Sequence, residues 1–140
     1  MLFRSDLDHL ESLLKRTTAG RPILIVTDGL FSMDGDLAPL PELAALAERF
    51  GATLYVDDAH GTGVMGPSGR GTLEHFGVEG KIPFHMGTLG KALGCSGAYI
   101  AGPADMIEYL ISTSRPFMFT TAPPPGTAAA ACAEIGRAHV

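Results

Sequence analysis

The sequence has little positive charge, few cysteines and no tryptophan. Lys and Arg number 10 against 15 Asp and Glu, which gives the 140-residue chain a formal net charge of -5. Nucleic-acid binding needs clustered basic residues that neutralise phosphates, so this balance argues against an electrostatic nucleic-acid binder. The two cysteines, Cys95 and Cys132, lie far apart without CxxC spacing. They fit reduced thiols better than a disulfide framework, and we predict no metal site.

Long hydrophobic runs are missing as well. The run at residues 23–26 is far too short to span a bilayer, and residues 1–8 contain no apolar stretch of the signal-peptide kind. We therefore expect a cytoplasmic protein. Hydrophobic residues nevertheless make up 46% of the chain and charged residues 18%, a balance that supports a buried core and excludes disorder driven by charge.

The apolar segments that are present predict an α/β fold. Residues 23–26 and 53–56 are short apolar runs typical of strands that are buried on both faces. A helical pattern that stops at Gly51 separates them, and a helix between two buried strands forms a βαβ unit with parallel strands. We predict a mostly parallel sheet with helices on both faces. The predicted strands are 23–26, 53–56, 82–86, 98–101 and 117–119, and the predicted helices begin near residues 6, 39, 103 and 125.

A first group of polar residues follows the strand at 53–56. Asp57 and His60 come where that strand ends, and the carboxyl ends of strands form the usual ligand crevice of an open α/β sheet. Both side chains are therefore candidates to bind one ligand. The alternative is a purely local role, because aspartate is also common in turns that it stabilises by hydrogen bonding.

A second group surrounds Lys91, in the segment GTLGKALG at residues 87–94. A phosphate-binding P-loop needs a glycine at position 85 and a Ser or Thr at position 92, where this sequence has His85 and Ala92. The P-loop interpretation therefore fails. Lys91 is then either a solvated charge or, if it is enclosed, an amine that is free to attack an aldehyde. Thr88 carries a hydroxyl suited to a phosphate oxygen.

The two groups together suggest pyridoxal phosphate as a cofactor. A carboxylate such as Asp57 keeps the pyridine nitrogen protonated, and a lysine such as Lys91 binds the aldehyde and transfers protons. The competing hypothesis is a non-catalytic α/β domain. In that case the glycine-rich loops bind an anion, and Lys91 and Asp57 are structural residues.

Five segments of the sequence resemble the α-oxoamine synthases, which are fold-type I pyridoxal phosphate enzymes. Their order and spacing match those of the family, and the resemblance covers nearly the whole chain. The segments are DGLFSMDGD (28–36), VDDAHGTG (56–63), GPSGRG (66–71), GTLGKALG (87–94) and FTTAPP (119–124).

The resemblance implies three catalytic residues. Lys91 would form the covalent bond to the cofactor aldehyde, and Asp57 would pair with the pyridine nitrogen. His60 would donate a hydrogen bond to the phenolic oxygen of the cofactor. For Asp58, next to Asp57, a much smaller contribution is expected.

The resemblance also implies four further cofactor-binding residues and a homodimer. Ser32 would lie near the phenolic oxygen, and Thr88 would bind the phosphate. In this family a threonine of the partner subunit reaches the same phosphate, and Thr120 and Thr121 are the matching positions.

The activity implied by the resemblance is that of an acyltransferase. An amino acid, for which we expect L-alanine, would condense with an acyl thioester, for which we expect a pimeloyl group, and carbon dioxide would leave as in biotin synthesis. The thiol carrier would be coenzyme A or acyl carrier protein. Glycine C-acetyltransferases and serine-using α-oxoamine synthases share most of the motifs and remain the alternatives.

The chain is expected to be part of a large, cofactor-binding domain, because members of the family are considerably longer. Residues 6–133 are expected to be the genuine part of that domain. Residues 1–5 and 134–140 read like translated sequencing-adaptor DNA, so His139 is given no role.

Overall fold

The chain forms a four-stranded sheet with six helices among the residues that a computed structural model describes, 5–17 and 20–137. The outer parts of the two expected adaptor-like ends, residues 1–4 and 138–140, lie outside this range. The elements in chain order are α1 (Leu7–Arg16), β1 (Leu24–Asp28), α2 (Leu40–Phe50), β2 (Thr53–Asp57), α3 (Thr72–His75), β3 (Phe84–Thr88), β4 (Ala98–Ala101), α4 (Ala104–Thr113), α5 (Arg115–Met118) and α6 (Pro125–Arg137).

The strands lie side by side in the order β1-β2-β3-β4. β1 pairs with β2 and β2 with β3 in parallel, whereas β3 and β4 form an antiparallel pair. The prediction of a mostly parallel α/β sheet is confirmed. Since β1, β2 and β3 run in the same direction, their carboxyl ends meet at one edge of the sheet.

The hydrophobic core lies on the sheet face that α2 covers. Leu40 and Leu43 of α2 are fully buried and belong to one cluster with Leu54 and Val56 of β2. α2 begins with a proline in its first turn and ends at Phe50, and Gly51 follows as a left-handed C-cap with a positive φ of 62°. α1 adds two further buried leucines to the same cluster.

The prediction that β1 is buried on both faces is wrong for the described residues. Ile25 is 4% exposed, but Leu24 and Val26 on the opposite face are 62% and 53% exposed. Successive side chains of a strand point to opposite faces of a sheet, so covering one face leaves the alternate positions open. An apolar run predicts that a strand can be covered on both sides, and it does not say which residues cover it.

Residues 117–119 do not form the predicted last strand. Arg115–Met118 is the short helix α5, with Pro116 in its first turn, where the missing N–H and fixed φ of proline suit a helix. β3 also begins at Phe84 instead of residue 82, because Pro83 has no N–H to donate to the sheet. No helix within 5–17 and 20–137 has the length and apolar character to cross a membrane.

The core position Leu43 provides a test of this packing. Leu43→Ala should reduce the free energy of unfolding by roughly 2–5 kcal/mol, because it leaves a cavity where the surrounding side chains cannot collapse fully. Met33→Ala is the control, since Met33 is 90% exposed. Urea unfolding measures both, and equal losses would contradict the assignment of Leu43 to the core.

Candidate active site

Polar residues end all three parallel-running strands at the same edge of the sheet. Asp28 is the last residue of β1, Asp57 of β2 and Thr88 of β3. Asp28 and Asp57 are direct neighbours in the β1–β2 register, and Asp57 pairs with Met86 in β3. The segments that follow these strands carry Ser32, His60 and Lys91. The fold therefore places the candidate residues from three separate parts of the sequence at one edge.

Asp57 is half-buried, and backbone groups on both sides fix its position. Its carbonyl accepts a hydrogen bond from the Gly29 N–H at 2.8 Å. Its carboxylate oxygen Oδ1 accepts one from the Ala59 N–H at 3.0 Å. The second bond restricts the direction of the Asp57 side chain at the end of β2.

The pKa of Asp28 is affected by the other charged groups at this edge. Burial raises its pKa, and the neighbouring charge of Asp57 raises it further. His60 and Lys91 act in the opposite direction on the same pKa. Asp57, His60 and Lys91 therefore each lie within electrostatic range of Asp28. That the three of them bind one ligand stays a prediction.

Lys91 lies in the loop that joins β3 to β4. The loop is closed by hydrogen bonds from the Leu89 N–H to the Gly97 carbonyl at 2.9 Å and from the Cys95 N–H to the Leu89 carbonyl at 2.7 Å. Lys91 itself is exposed. Of the two alternatives for Lys91, a solvated charge and an enclosed amine, the described residues show the exposed one. The structure places Lys91 in the loop after β3, at the edge of the sheet, and does not bury it.

The two candidates for the phenolic oxygen and phosphate lie at the same edge. Ser32 is exposed in a tight turn that hydrogen bonds between Phe31 and Asp36 and between Gly35 and Phe31 stabilise. Thr88 is half-buried, and its hydroxyl donates to the Ala59 carbonyl at 3.3 Å. That long bond connects β3 to the residues between Asp57 and His60.

The two threonines expected to act across a subunit interface lie elsewhere in the chain. Thr120 and Thr121 are exposed between α5 and α6. The Thr120 hydroxyl donates to the Pro116 carbonyl. Their role toward a partner subunit stays a prediction.

Two carboxylates, Asp58 and Glu74, organise the glycine-rich loop of residues 61–71, a role that the sequence patterns did not predict. Asp58 is 1% exposed and binds Thr72. Glu74 accepts hydrogen bonds from the Ser68 N–H at 3.1 Å and the Arg70 N–H at 3.0 Å, and the Ser68 hydroxyl bond lowers its pKa. The strand period could have identified Asp58, because it follows Leu54 and Val56 on the core side.

Comparisons with known proteins identify relatives of known name. A family model described as aminotransferase class I and II matches residues 2–139. The chain is 57% identical over 130 residues to the 8-amino-7-oxononanoate synthase of Anaeromyxobacter sp. (strain K), and 56% identical over 131 residues to that of Geobacter sulfurreducens. These alignments cover 93% and 94% of this chain but 32% and 34% of the relatives. The chain thus spans about a third of the length of the curated relatives it matches.

Solved structures give the same result for the fold. Serine palmitoyltransferase from S. paucimobilis with bound PLP-myriocin aldimine is 35% identical with a TM-score of 0.91, and the match covers 97% of this chain and 34% of that one. The 8-amino-7-oxononanoate synthase from Francisella tularensis is 32% identical with a TM-score of 0.79, over 96% of this chain and 38% of that one. These similarities confirm the predicted fold class.

Proposed function

Because the chain belongs to the aminotransferase class I and II family, we propose that it forms the cofactor-binding part of a pyridoxal phosphate-dependent acyltransferase. The observation that carries this proposal is the location of Asp57, His60 and Lys91 at one edge of the sheet, where the charge of each affects the pKa of Asp28. A carboxylate, an imidazole and an amine are the groups that a pyridine nitrogen, a phenolic oxygen and an aldehyde require. The residues therefore fit the cofactor.

Pyridoxal phosphate, when bound, supplies an electron-withdrawing ring and an aldehyde that combines with amines. The Asp57 carboxylate, which the Ala59 N–H holds through Oδ1, would keep the proton on the ring nitrogen. Lys91 Nζ would hold the aldehyde until the amino group of the substrate displaces it, and the released amine would then accept the α-proton of the amino acid. His60 would donate to the phenolic oxygen near Ser32, and Thr88 would bind the phosphate.

The substrates we propose are L-alanine and a pimeloyl thioester of coenzyme A or acyl carrier protein. The support is the set of curated relatives named 8-amino-7-oxononanoate synthase, which reach 57% identity. A serine-using α-oxoamine synthase is the second candidate, because serine palmitoyltransferase structures match at a TM-score of 0.91 with 35% identity. The higher identity favours the first.

The assembly we propose is a longer homodimeric protein located in the cytoplasm. Its relatives are about three times as long as the matched segment, so this chain would be part of their large domain. Thr120 and Thr121 are exposed, as contact with a partner subunit requires. Cys95 and Cys132 are free, which suits a reducing compartment. Below, the full-length enzyme means this chain within a protein of its relatives' length.

Lys91 is tested by trapping its bond to the cofactor. Borohydride reduction of the full-length enzyme with pyridoxal phosphate should attach the cofactor to Lys91, as peptide mass mapping would detect. Lys91→Ala should keep the fold and abolish turnover, because both substrate exchange and proton transfer need the amine. Lys81→Ala, at an exposed lysine on the loop before β3, should retain label and activity. A label on another lysine would refute the assignment.

Asp57 is tested by proton exchange at the substrate. Asp57→Asn should slow exchange of the alanine α-proton by several orders of magnitude while the cofactor still binds, because a neutral amide cannot stabilise the protonated ring in the transition state. Asp8→Asn, at an exposed position of α1, is the matched control. Equal exchange rates in the two variants, followed by NMR in D₂O, would show that another carboxylate has this role.

The choice of substrate is tested by comparing the rates with different amino acids. Thiol release by the full-length enzyme should be fastest with alanine and pimeloyl thioester, and markedly slower with glycine or serine. The measurement is the initial rate with each amino acid against pimeloyl, acetyl and palmitoyl thioesters. Preference for serine with the palmitoyl thioester would favour the second candidate.

A further inference from the structure

Asp58 is the most deeply buried carboxylate among the described residues, at 1% exposure, and the proposed chemistry does not use it. Its Oδ2 accepts a hydrogen bond from the Thr72 N–H at 2.8 Å. Its Oδ1 accepts one from the Thr72 hydroxyl at 2.7 Å. Thr72 is itself fully buried. One residue at the start of α3 therefore binds both oxygens of this carboxylate.

Three glycines from separate parts of the chain surround the same carboxylate. A Cβ atom at Gly61 or Gly71 would overlap an oxygen of Asp58, and one at Gly29 would lie 2.8 Å from Oδ1. Gly29 follows β1, Gly61 follows His60, and Gly71 precedes α3. The carboxylate thus fills space that is open only because these three residues lack a Cβ. It packs against the residues that follow β1 and β2 and against the end of the glycine-rich loop.

The backbone of Asp58 holds the turn that carries His60. Its N–H donates to the Met86 carbonyl of β3 at 2.9 Å. Its carbonyl accepts from the Gly61 N–H at 3.1 Å and from the Thr62 N–H at 2.9 Å. These two bonds close the turn around His60. The residue between the two proposed cofactor contacts is therefore fixed by both its backbone and its side chain.

We propose that Asp58 is a positioning residue, whose bond to Thr72 sets the directions in which Asp57 and His60 meet the cofactor. This inference rests on the proposed function. Asp57 is its peptide neighbour, so a rotation of Asp58 about the backbone would turn the Asp57 side chain as well. His60 lies in the turn that the Asp58 carbonyl closes, so the same rotation would move the imidazole.

The environment of Asp58 explains why an amide would not replace it. Burial raises the pKa of Asp58, and the two bonds from Thr72 and the charge of His85 act in the opposite direction, while Asp57 adds to the rise. An amide offers one acceptor oxygen where the carboxylate offers two, so one of the Thr72 donors loses its partner.

Two substitutions in the full-length enzyme test the role from both sides of the contact. Asp58→Asn removes one acceptor, and Thr72→Val removes only the hydroxyl and keeps the backbone bond. Both should weaken binding of pyridoxal phosphate about tenfold and lower kcat roughly tenfold to a hundredfold, because small displacements of positioned groups cost rates of that order. KM for the amino acid should change less than twofold.

The absorption spectrum of the bound cofactor distinguishes a positioning role of Asp58 from an effect on the stability of the protein alone. The pH midpoint of the absorption band of the lysine-bound cofactor should shift in both variants, and Thr72→Ser should restore the parental midpoint and kcat. Asp8→Asn and Thr113→Val are the controls, since both positions are exposed on outer helices. Borohydride labelling of Lys91 is measured in every variant.

The outcomes distinguish this inference from the proposed function. If Lys91 is labelled but Thr72→Val and Asp58→Asn keep the parental midpoint, cofactor affinity and kcat, the positioning role is refuted, whatever the loss of stability in urea. If Asp58→Asn does not fold, Thr72→Val and Thr72→Ser decide the question alone. If Lys91 is not labelled in the parent enzyme, the proposed function itself is refuted.

Discussion

The parallel register of β1, β2 and β3 is the constraint on which the site depends. Asp28 pairs with Asp57, and Asp57 pairs with Met86, so the strands end level with one another. A slip of one residue would turn every side chain of a strand to the opposite face. Asp57 would then exchange places with Asp58, and the residue expected to meet the cofactor would point into the core. The hydrogen-bonded register of the sheet thus determines which of two adjacent aspartates lies where we propose that the cofactor binds.

The two aspartates have the same chemistry and opposite surroundings. Asp57 is half-buried next to Asp28, whose pKa the charges of His60 and Lys91 also affect. Asp58 lies among glycines and holds the loop through Thr72. A buried carboxylate is costly unless hydrogen bonds satisfy it, and here one threonine provides two. In our account the second aspartate keeps the first in place.

Much of the arrangement could be predicted from the sequence, because local patterns determine it. Apolar runs with a helix between them predicted parallel strands, and a strand ending at Asp57 predicted the location of the site. The same strand end made His60 a candidate, the glycine-flanked segment 87–94 made Lys91 one, and the order of the motifs indicated the family. Patterns of this kind fail where distant residues decide the outcome. The exposure of Leu24, the helix at Arg115–Met118 and the bond of Asp58 to Thr72 all depend on which segments pack together, and the spacing of residues in one segment does not contain that information.

The most direct test of the account is a crystal structure of the full-length enzyme grown with pyridoxal phosphate. We expect continuous density between Lys91 Nζ and the cofactor, and a carboxylate oxygen of Asp57 at a hydrogen-bonding distance of about 2.7–3.2 Å from the ring nitrogen. His60 should lie beside the phenolic oxygen, and Asp58 should remain bound to Thr72. A cofactor joined to another lysine, or a ring nitrogen paired with Asp28 in place of Asp57, would contradict the account.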